Sequence, residues 1–299
     1  MSTKLTLIVI VGPTGCGKTD FSIKLAQRLS APIISTDSRQ FFKGLAIGSA
    51  QPDSEQLAAV NHYFIADREL GDVQNCGNYE REALALLEGL FAENQYVIAV
   101  GGSGLYIDAL CDGMDSFEDV DPEIRSELKA KSIEELRELL EQKDPEYYAK
   151  VDKNNRQRLI RALEICLQTG KTYSSQRHGT RHKRDFDIIK IGLTMDRAKL
   201  YERINLRVDM MLEQGLESEA RAVLPFRELN SLQTVGYREM FEYFDGAISL
   251  ERATELIKQN SRRYAKRQMT WFNRDERITW FTPHDFDKVC EYIDSKVKS

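Results

Sequence analysis

Residues Gly12 to Thr19 read GPTGCGKT, preceded by the apolar run Leu5 to Val11 and followed by the helix-like FSIKLAQRL, Phe21 to Leu29. A glycine loop between a strand and a helix is the setting in which such a motif binds a polyphosphate. Gly12, Gly15 and Gly17 let backbone N–H groups turn inward as an anion nest, with Pro13, Thr14 and Cys16 between them. The helix that begins near Lys18 adds its positive dipole end. Lys18 brings a full charge to the phosphates, and the Thr19 hydroxyl suits Mg2+. A turn that merely joined a strand to a helix would not explain Lys and Thr directly after the last glycine. The motif reads charged groups and not what they are attached to, so it leaves the identity of the polyphosphate open.

The elements that must position this loop form an α/β pattern. APIIS, Ala31 to Ser35, reads as a second strand that delivers TDSRQ at its C-terminal end, the edge where open α/β sheets place ligands. YVIAV, Tyr96 to Val100, is a third buried strand followed by GGSGLY, a second glycine turn that opens a helix. DIIKIGL, Asp187 to Leu193, is a further strand. Helices are expected over Arg197 to Gln214, Leu216 to Leu224 and Ser249 to Trp271, then a short strand RITWF, Arg277 to Phe281, and a terminal helix. Strands alternating with helices on this spacing predict an α/β fold, a parallel sheet flanked by helices.

Between Met114 and Phe186 the texture is strongly charged and helix-patterned without strand candidates. The expected organisation is therefore a core of residues 1–113 and 187–299 interrupted by an all-helical insert, residues 114–186. Ser132 and Glu135 form a capping-box pattern ahead of ELRELLEQ, and Asp144 with Pro145 marks a break. In RQRLIRALEICLQ, Leu159, Leu163 and Leu167 make an apolar stripe widened by Ile160, while Arg158 and Arg161 fall on a neighbouring strip. Both arginines flank the stripe, so replacing them is expected to leave the fold intact.

The chain has 299 residues, 41% hydrophobic and 30% charged, enough to bury a sizeable core. It has no stretch of the length a membrane span requires and no signal-peptide pattern, so a cytoplasmic protein without membrane contact is expected. Five cysteines, odd in number and free of any C-x-x-C spacing, indicate neither disulfides nor zinc. Cys16 reads either as a tolerated position in the loop or as an oxidation-sensitive thiol.

The net charge of −5 conceals segregation. Asp115 to Glu146 holds twelve acidic and five basic residues, whereas Lys153 to Arg184 holds nine basic residues and the single acid Glu164. A second basic stretch, RRYAKRQMTWFNRDER from Arg262, interleaves Tyr264, Trp271 and Phe272 with its charges. One charge run is ordinarily a solvated helix face. Two basic runs, one mixed with aromatics, favour a surface for a phosphodiester backbone.

GPTGCGKT, STDSRQFFKGLAIGSAQP from Ser35, HYF from His62, GGSGLY, NRQRLIRALEI from Asn155, RVDMMLEQGLESEA from Arg207, TVGYRE and KRQMTWF occur in one collinear order. Together they resemble the tRNA dimethylallyltransferases, or tRNA isopentenyltransferases, nearly from end to end. The resemblance implies a P-loop NTPase-like core with an inserted helical tRNA-binding domain. It also implies transfer of a dimethylallyl group from dimethylallyl diphosphate to the exocyclic amine of an adenosine on the 3′ side of the tRNA anticodon. The P-loop would hold the leaving diphosphate, with Lys18, Mg2+ at Thr19 and an arginine, Arg203 or Arg207, opposing its charge.

The same resemblance makes Asp37 the base, Ser103 a residue at the reacting centre where the family commonly has Thr, and Ser38 and Gln40 hydrogen-bonding partners of the extruded adenine. Arg39, counted with this tRNA-facing segment, departs from the commoner residue, as do Phe41 and Phe42. Arg125 and the segment Gln157, Arg158, Leu159, Ile160 and Arg161 match tRNA-contacting positions. His62 reads as a packed or capping residue. The zinc-finger extension of eukaryotic members is absent, so the chain resembles the shorter bacterial form, and a monomer without zinc is expected. A small-molecule or nucleoside kinase would use the same loop with ATP but would lack a second acidic residue at a strand end. A noncatalytic RNA-binding module would leave Asp37 beside a phosphate loop unexplained.

Overall fold

The computed structural model describes residues 4–297 apart from 116, 118, 119, 178, 180 and 181. Its elements follow the chain as β1 (Thr6–Val11), α1 (Lys18–Leu29), β2 (Ile33–Ser35), α2 (Ser54–Ala59), β3 (His62–Tyr63), α3 (Cys76–Glu93), β4 (Tyr96–Val100) and α4 (Gly104–Asp112). The helical stretch comprises α5 (Pro122–Ala130), α6 (Ile133–Lys143), α7 (Pro145–Lys150), α8 (Arg156–Thr169) and α9 (Tyr173–Gln176). The chain then continues through β5 (Asp187–Leu193), α10 (Arg197–Glu213), α11 (Leu216–Val223), α12 (Tyr237–Phe244), α13 (Leu250–Phe272), β6 (Ile278–Phe281) and α14 (Phe286–Val297). None of the described helices is long and apolar enough to cross a membrane.

All six strands run parallel in one sheet, in the order β3-β2-β4-β1-β5-β6. The central position of β1 follows from its composition. Every residue of it is buried, so it can present neither an edge nor a face to water. Its alternating side chains enter two different cores. Leu7, Val9 and Val11 pack with Ile34, Val97 and Ala99 against Tyr79 and Leu87 of α3 and Leu110 of α4. Ile8 and Ile10 pack with Ile33, Ile98 and Ile191 against Leu25 of α1, Ile204 of α10 and Ile293 of α14.

The expected strands at both ends of the chain and between them are present. The second begins at Ile33 rather than Ala31, after Pro32, which has no N–H to give a ladder. The two-residue edge strand β3 went unread because so short a segment carries no periodicity.

The chain divides into two compact units, residues 1–111 with 184–299 and residues 112–183. Asp112 and Gly113, placed with the core by sequence, group with the helical unit. Residues 184–186, placed in the insert, group with the core. Arg184 donates to the carbonyls of Ala109 and Leu110 and to Glu80, and Phe186 packs on Phe91 with ring centroids 5.3 Å apart.

The helical unit folds around the stripe read from sequence. Leu159, Ile160 and Leu163 of α8 meet Leu128 of α5 and Leu136 and Leu140 of α6. The capping box at Ser132 and Glu135 opens α6. Asp144 ends that helix and caps α7. It is fully buried, and its carboxylate accepts from the Tyr147 N–H at 2.9 Å, the Ser174 N–H at 2.6 Å and the Ser174 hydroxyl at 2.8 Å. Burial alone would raise its pKa, but these hydrogen bonds outweigh it and hold the carboxyl below its ordinary value.

A carboxyl whose folded pKa is depressed stabilises the fold above its unfolded pKa, near 4, and loses that contribution as pH falls through the lower folded value. Asp144→Asn is therefore expected to cost ~1–3 kcal/mol at neutral pH. Denaturant titrations should show the gap between variant and parent closing only below about pH 4. A gap that stays constant down to acid unfolding would show that the carboxylate's charge is not what stabilises this corner.

Candidate active site

Since β2, β4 and β1 are adjacent and parallel, the loops leaving their C-terminal ends lie side by side. These are the segment after Ser35, the glycine turn after Val100 and the phosphate-loop motif after Val11. They border a cavity of about 620 Å³ that also receives α10 and α13. Gly12 sits where no other residue fits. Its φ is +149°, and a Cβ would lie 2.3 Å from the carbonyl oxygen of Leu193 in β5.

Lys18 opens α1 behind Gly17, which is left-handed with φ 91°. Its ammonium donates to the carbonyls of Gly12 at 2.9 Å and Pro13 at 2.8 Å. Of its three N–H donors the third meets only the Cys16 Sγ, at 4.0 Å, a weak contact that an anion in the cavity would displace. Gly15, Gly17 and Thr19 line the same end.

One member of the loop behaves otherwise than expected: the Thr14 N–H, counted toward the anion nest, is taken at 2.8 Å by Oε1 of Gln268. Cys16 is fully buried in the core behind the loop, which takes its thiol out of solvent.

Arg203 and Arg207 both line the cavity from α10, one helical turn apart. Nε of Arg203 donates to the Gly15 carbonyl at 3.0 Å. Arg207 is pushed below its ordinary pKa by burial. Asp37 and Cys16 oppose that shift, and the like charge of Arg203 adds to it. A guanidinium held this way gains most from an added anion.

Asp37 lines the same cavity. Its Oδ1 accepts the Arg39 N–H at 3.0 Å in an Asx turn, and its own N–H donates to the Ser35 hydroxyl at 3.2 Å. Ser38 is tied to the glycine turn: its N–H donates to Oγ of Ser103 at 3.0 Å, and the two hydroxyls lie 3.2 Å apart. Arg39 reaches the Asn230 carbonyl at 2.8 Å, and burial lowers its pKa against the pull of Asp37. His62 lines the cavity and bonds the Val60 carbonyl through Nδ1 at 2.8 Å, as a packed histidine would; burial lowers its pKa.

Gln40 lines the cavity and is held in place from both ends of its amide: Oε1 accepts from the Ser35 hydroxyl at 3.0 Å and Nε2 donates to the Ala50 carbonyl at 2.8 Å. These bonds use one of its two N–H donors and one of its two lone pairs, so the other donor and acceptor stay unspent by the brace.

Residues that sequence reasoning passed over complete the site. Glu219 of α11 accepts the N–H groups of Ile47 and Gly48, each at 2.8 Å, and the Tyr237 hydroxyl at 2.6 Å, pinning the loop that follows Asp37. Tyr264 of α13 lines the cavity. Burial, with the Asp37 charge added, pushes its hydroxyl up to about 12, and the neighbouring Ser103 offsets part of that. The other two aromatics of this basic stretch are engaged within the fold. Nε1 of Trp271 donates to Asp108 at 2.9 Å, and Phe272 is buried. The helix over this stretch was expected, but the inward face that its spacing gives Tyr264, Gln268 and Trp271 was not drawn from it.

The remaining predicted positions lie in the helical unit. Gln157 and Arg158 are exposed on the first turn of α8. Leu159 and Ile160 are buried in that unit's core, and this corrects the expectation that their side chains contact RNA. Arg125 and Arg161 both bond Glu164, a buried carboxylate, at 2.6 Å and 3.2 Å.

Three loops gathered at one sheet edge around a cationic cavity define a P-loop-type α/β enzyme with a helical insertion. The model of the family described as IPP transferase matches residues 40–275. The chain is 49% identical to tRNA dimethylallyltransferase 1 of Bacteroides fragilis over 99% of this chain and 100% of that one. It is 52% identical to tRNA dimethylallyltransferase 2 of Porphyromonas gingivalis over 93% of this chain and 94% of the relative. The crystal structure of the full-length tRNA isopentenylpyrophosphate transferase of Bacillus halodurans superimposes with a TM-score of 0.74. That protein is 36% identical, covering 99% of this chain and 97% of its own. The chain belongs to the IPP transferase family.

Arg161 is not the fold-neutral residue its flanking position suggested. Replacing Arg125 and Arg161 together with alanine strands a buried carboxylate. The change should destabilise the protein by about 2–3 kcal/mol, less than for a fully buried pair because both guanidinium groups are nearly half exposed. Arg158→Ala should stay within ~0.5 kcal/mol of the parent. Chemical denaturation of the three proteins checks both, and equal stability for all would deny Glu164 its need for a counter-charge.

Proposed function

We infer that this chain transfers a dimethylallyl group from dimethylallyl diphosphate to the exocyclic amine of the adenosine 3′-adjacent to the anticodon in tRNA, releasing diphosphate. The observation that carries this reading is one cavity lined by Lys18, Arg207 and Asp37, with the Asp37 charge acting on the Arg207 guanidinium.

The reaction breaks the bond between the allylic carbon and a diphosphate oxygen and forms a bond from that carbon to the adenine nitrogen, which gives up a proton. Charge grows on the leaving diphosphate, where the third N–H of Lys18, the desolvated Arg207 and the free guanidinium end of Arg203 oppose it. The proton passes to Asp37, whose second carboxylate oxygen is outside the Asx turn. Ser103 and Ser38, bonded to one another, hold the Asp37 loop beside the glycine turn. The adenine must leave its stack to reach this point.

The donor set suits Mg2+. Thr19 offers a hydroxyl, and no group of three His, Cys, Asp or Glu side chains capable of holding a metal occurs among the described residues. An ion held here would take most of its oxygens from the diphosphate and water, as Mg2+ does. Bound at Thr19, Mg2+ would supply further positive charge against the leaving group. Of the segment matched to tRNA-contacting positions, Gln157 and Arg158 are exposed and can approach tRNA phosphates.

Incubating the protein and Mg2+ with unmodified tRNA and either radiolabelled dimethylallyl diphosphate or ATP tests the assignment. Label is expected in tRNA from the first donor only, and phosphoryl transfer from ATP in its place would overturn the assignment. Lys18→Ala should lower transfer by roughly 10²–10³. Asp37→Asn keeps the acceptor for the Arg39 N–H but removes the base. It should slow turnover by about 10²-fold or more while tRNA affinity stays within roughly threefold. Parallel losses of turnover and affinity would make Asp37 a loop-building residue.

A further inference from the structure

α13 meets both sides of the cavity with a single face. Tyr264, Gln268 and Trp271 are spaced four and three apart and so lie along one strip of the helix. Tyr264 neighbours Ser103, and Trp271 packs where a Cβ on Gly104 would stand, 2.3 Å from its ring. Gln268 sits between them with 5% of its surface exposed.

The Gln268 amide spans two loops that the chain separates widely. Its Oε1 accepts the Thr14 N–H at 2.8 Å, and its Nε2 donates to the Gly102 carbonyl at 2.9 Å. An uncharged amide is the one side-chain end that presents an acceptor and a donor in a rigid fork. Buried, neither bond has water as a substitute, so each is costly to leave unmade. The fit leaves no room at Gly102, where a Cβ would lie 2.1 Å from Nε2. From Gly102 the connection continues through Ser103 to the Ser38 N–H, one residue from Asp37.

We propose that Gln268 is a positioning residue for the transfer: its amide fixes the separation between the loop that holds the diphosphate and the turn that carries the acceptor side. The proposal rests on the transfer reading given above. Gln268 acts through Thr14 and Gly102, so its effect falls on the alignment of the two reactants and not on the binding of either. A displacement of about 1 Å between reacting groups is enough to cost roughly 10² in rate.

The test compares the parent with Gln268→Ala, Gly102→Ala and the double variant in single-turnover transfer to unmodified tRNA. Calorimetric binding of inorganic diphosphate and of tRNA is measured separately, and rates are normalised to the folded fraction from thermal melts. Gln268→Ala is expected to slow transfer at least roughly tenfold while both dissociation constants stay within about threefold. Gly102→Ala should do the same by expelling the amide. The double variant should be no slower than Gln268→Ala, because with the amide gone the atom nearest the new Cβ is the Gly12 carbonyl oxygen at 3.7 Å, an ordinary contact. Multiplicative losses in the double variant, or a Gln268→Ala protein turning over at the parent rate per folded molecule, would overturn the proposal. Should Gln268→Ala not fold, Gln268→Glu keeps the acceptor but sets a carboxylate against the Gly102 carbonyl, and parent-like transfer in it would overturn the proposal equally. A parent that binds diphosphate but labels no tRNA would overturn the transfer reading and this proposal with it, an outcome distinct from the others.

Discussion

Because β2, β4 and β1 are hydrogen-bonded neighbours running in one direction, their C-terminal ends emerge side by side at the spacing of adjacent strands, about 4.8 Å. The loops that leave them have no choice but to meet. The Gly101 N–H donates to the Ile10 carbonyl at 3.2 Å and the Thr36 N–H to the Val100 carbonyl at 2.8 Å, so the pairing carries past the strands into the loops themselves. The phosphate loop, the glycine turn and the Asp37 segment thus inherit their proximity from the ladder. Side chains only refine it, Ser103 toward Ser38 and Gln268 toward Thr14.

Within that frame the cavity concentrates charge that the fold does not neutralise. Lys18 is held by carbonyl dipoles, Arg203 by one carbonyl, and burial depresses both Arg207 and Arg39. Elsewhere the protein pairs its buried charges closely, as where Lys190 meets Asp275 at 2.6 Å and Glu164 meets two arginines. On the transfer reading, the stability lost by leaving these cations under-compensated is recovered when the diphosphate binds.

Much of this was legible in the residues. The apolar runs of β1 and β4 read as interior strands, and Ser132 with Glu135 announced the start of α6 through the geometry of a single helical turn. Local periodicity also read Leu159 and Ile160 as core, and both side chains are buried, within the segment that family likeness matches to tRNA-contacting positions. What escaped was long-range. The partner of Gln268 is Thr14, 254 positions away, and that of Glu219 is Ile47, 172 away, so no pattern in a window of sequence displays either bond. The commitment of Gln40 to Ser35 and Ala50 is closer in sequence, but it depends on a loop path that no propensity dictates.

The basic run that drew attention to the helical unit is also less available than its formal charge implies. Of the cations between Lys153 and Arg184, Arg156 donates to the carbonyls of Lys129 and Lys131, Arg161 shares Glu164 with Arg125, and Arg184 is bound to Glu80 within the core unit. A guanidinium already compensated by a carboxylate displaces few condensed counterions from a nucleic acid, because approaching a phosphate means leaving its own partner. The salt sensitivity of RNA association should therefore follow the uncommitted cations, Arg158 foremost, and fall short of the value that a count of arginines and lysines would give.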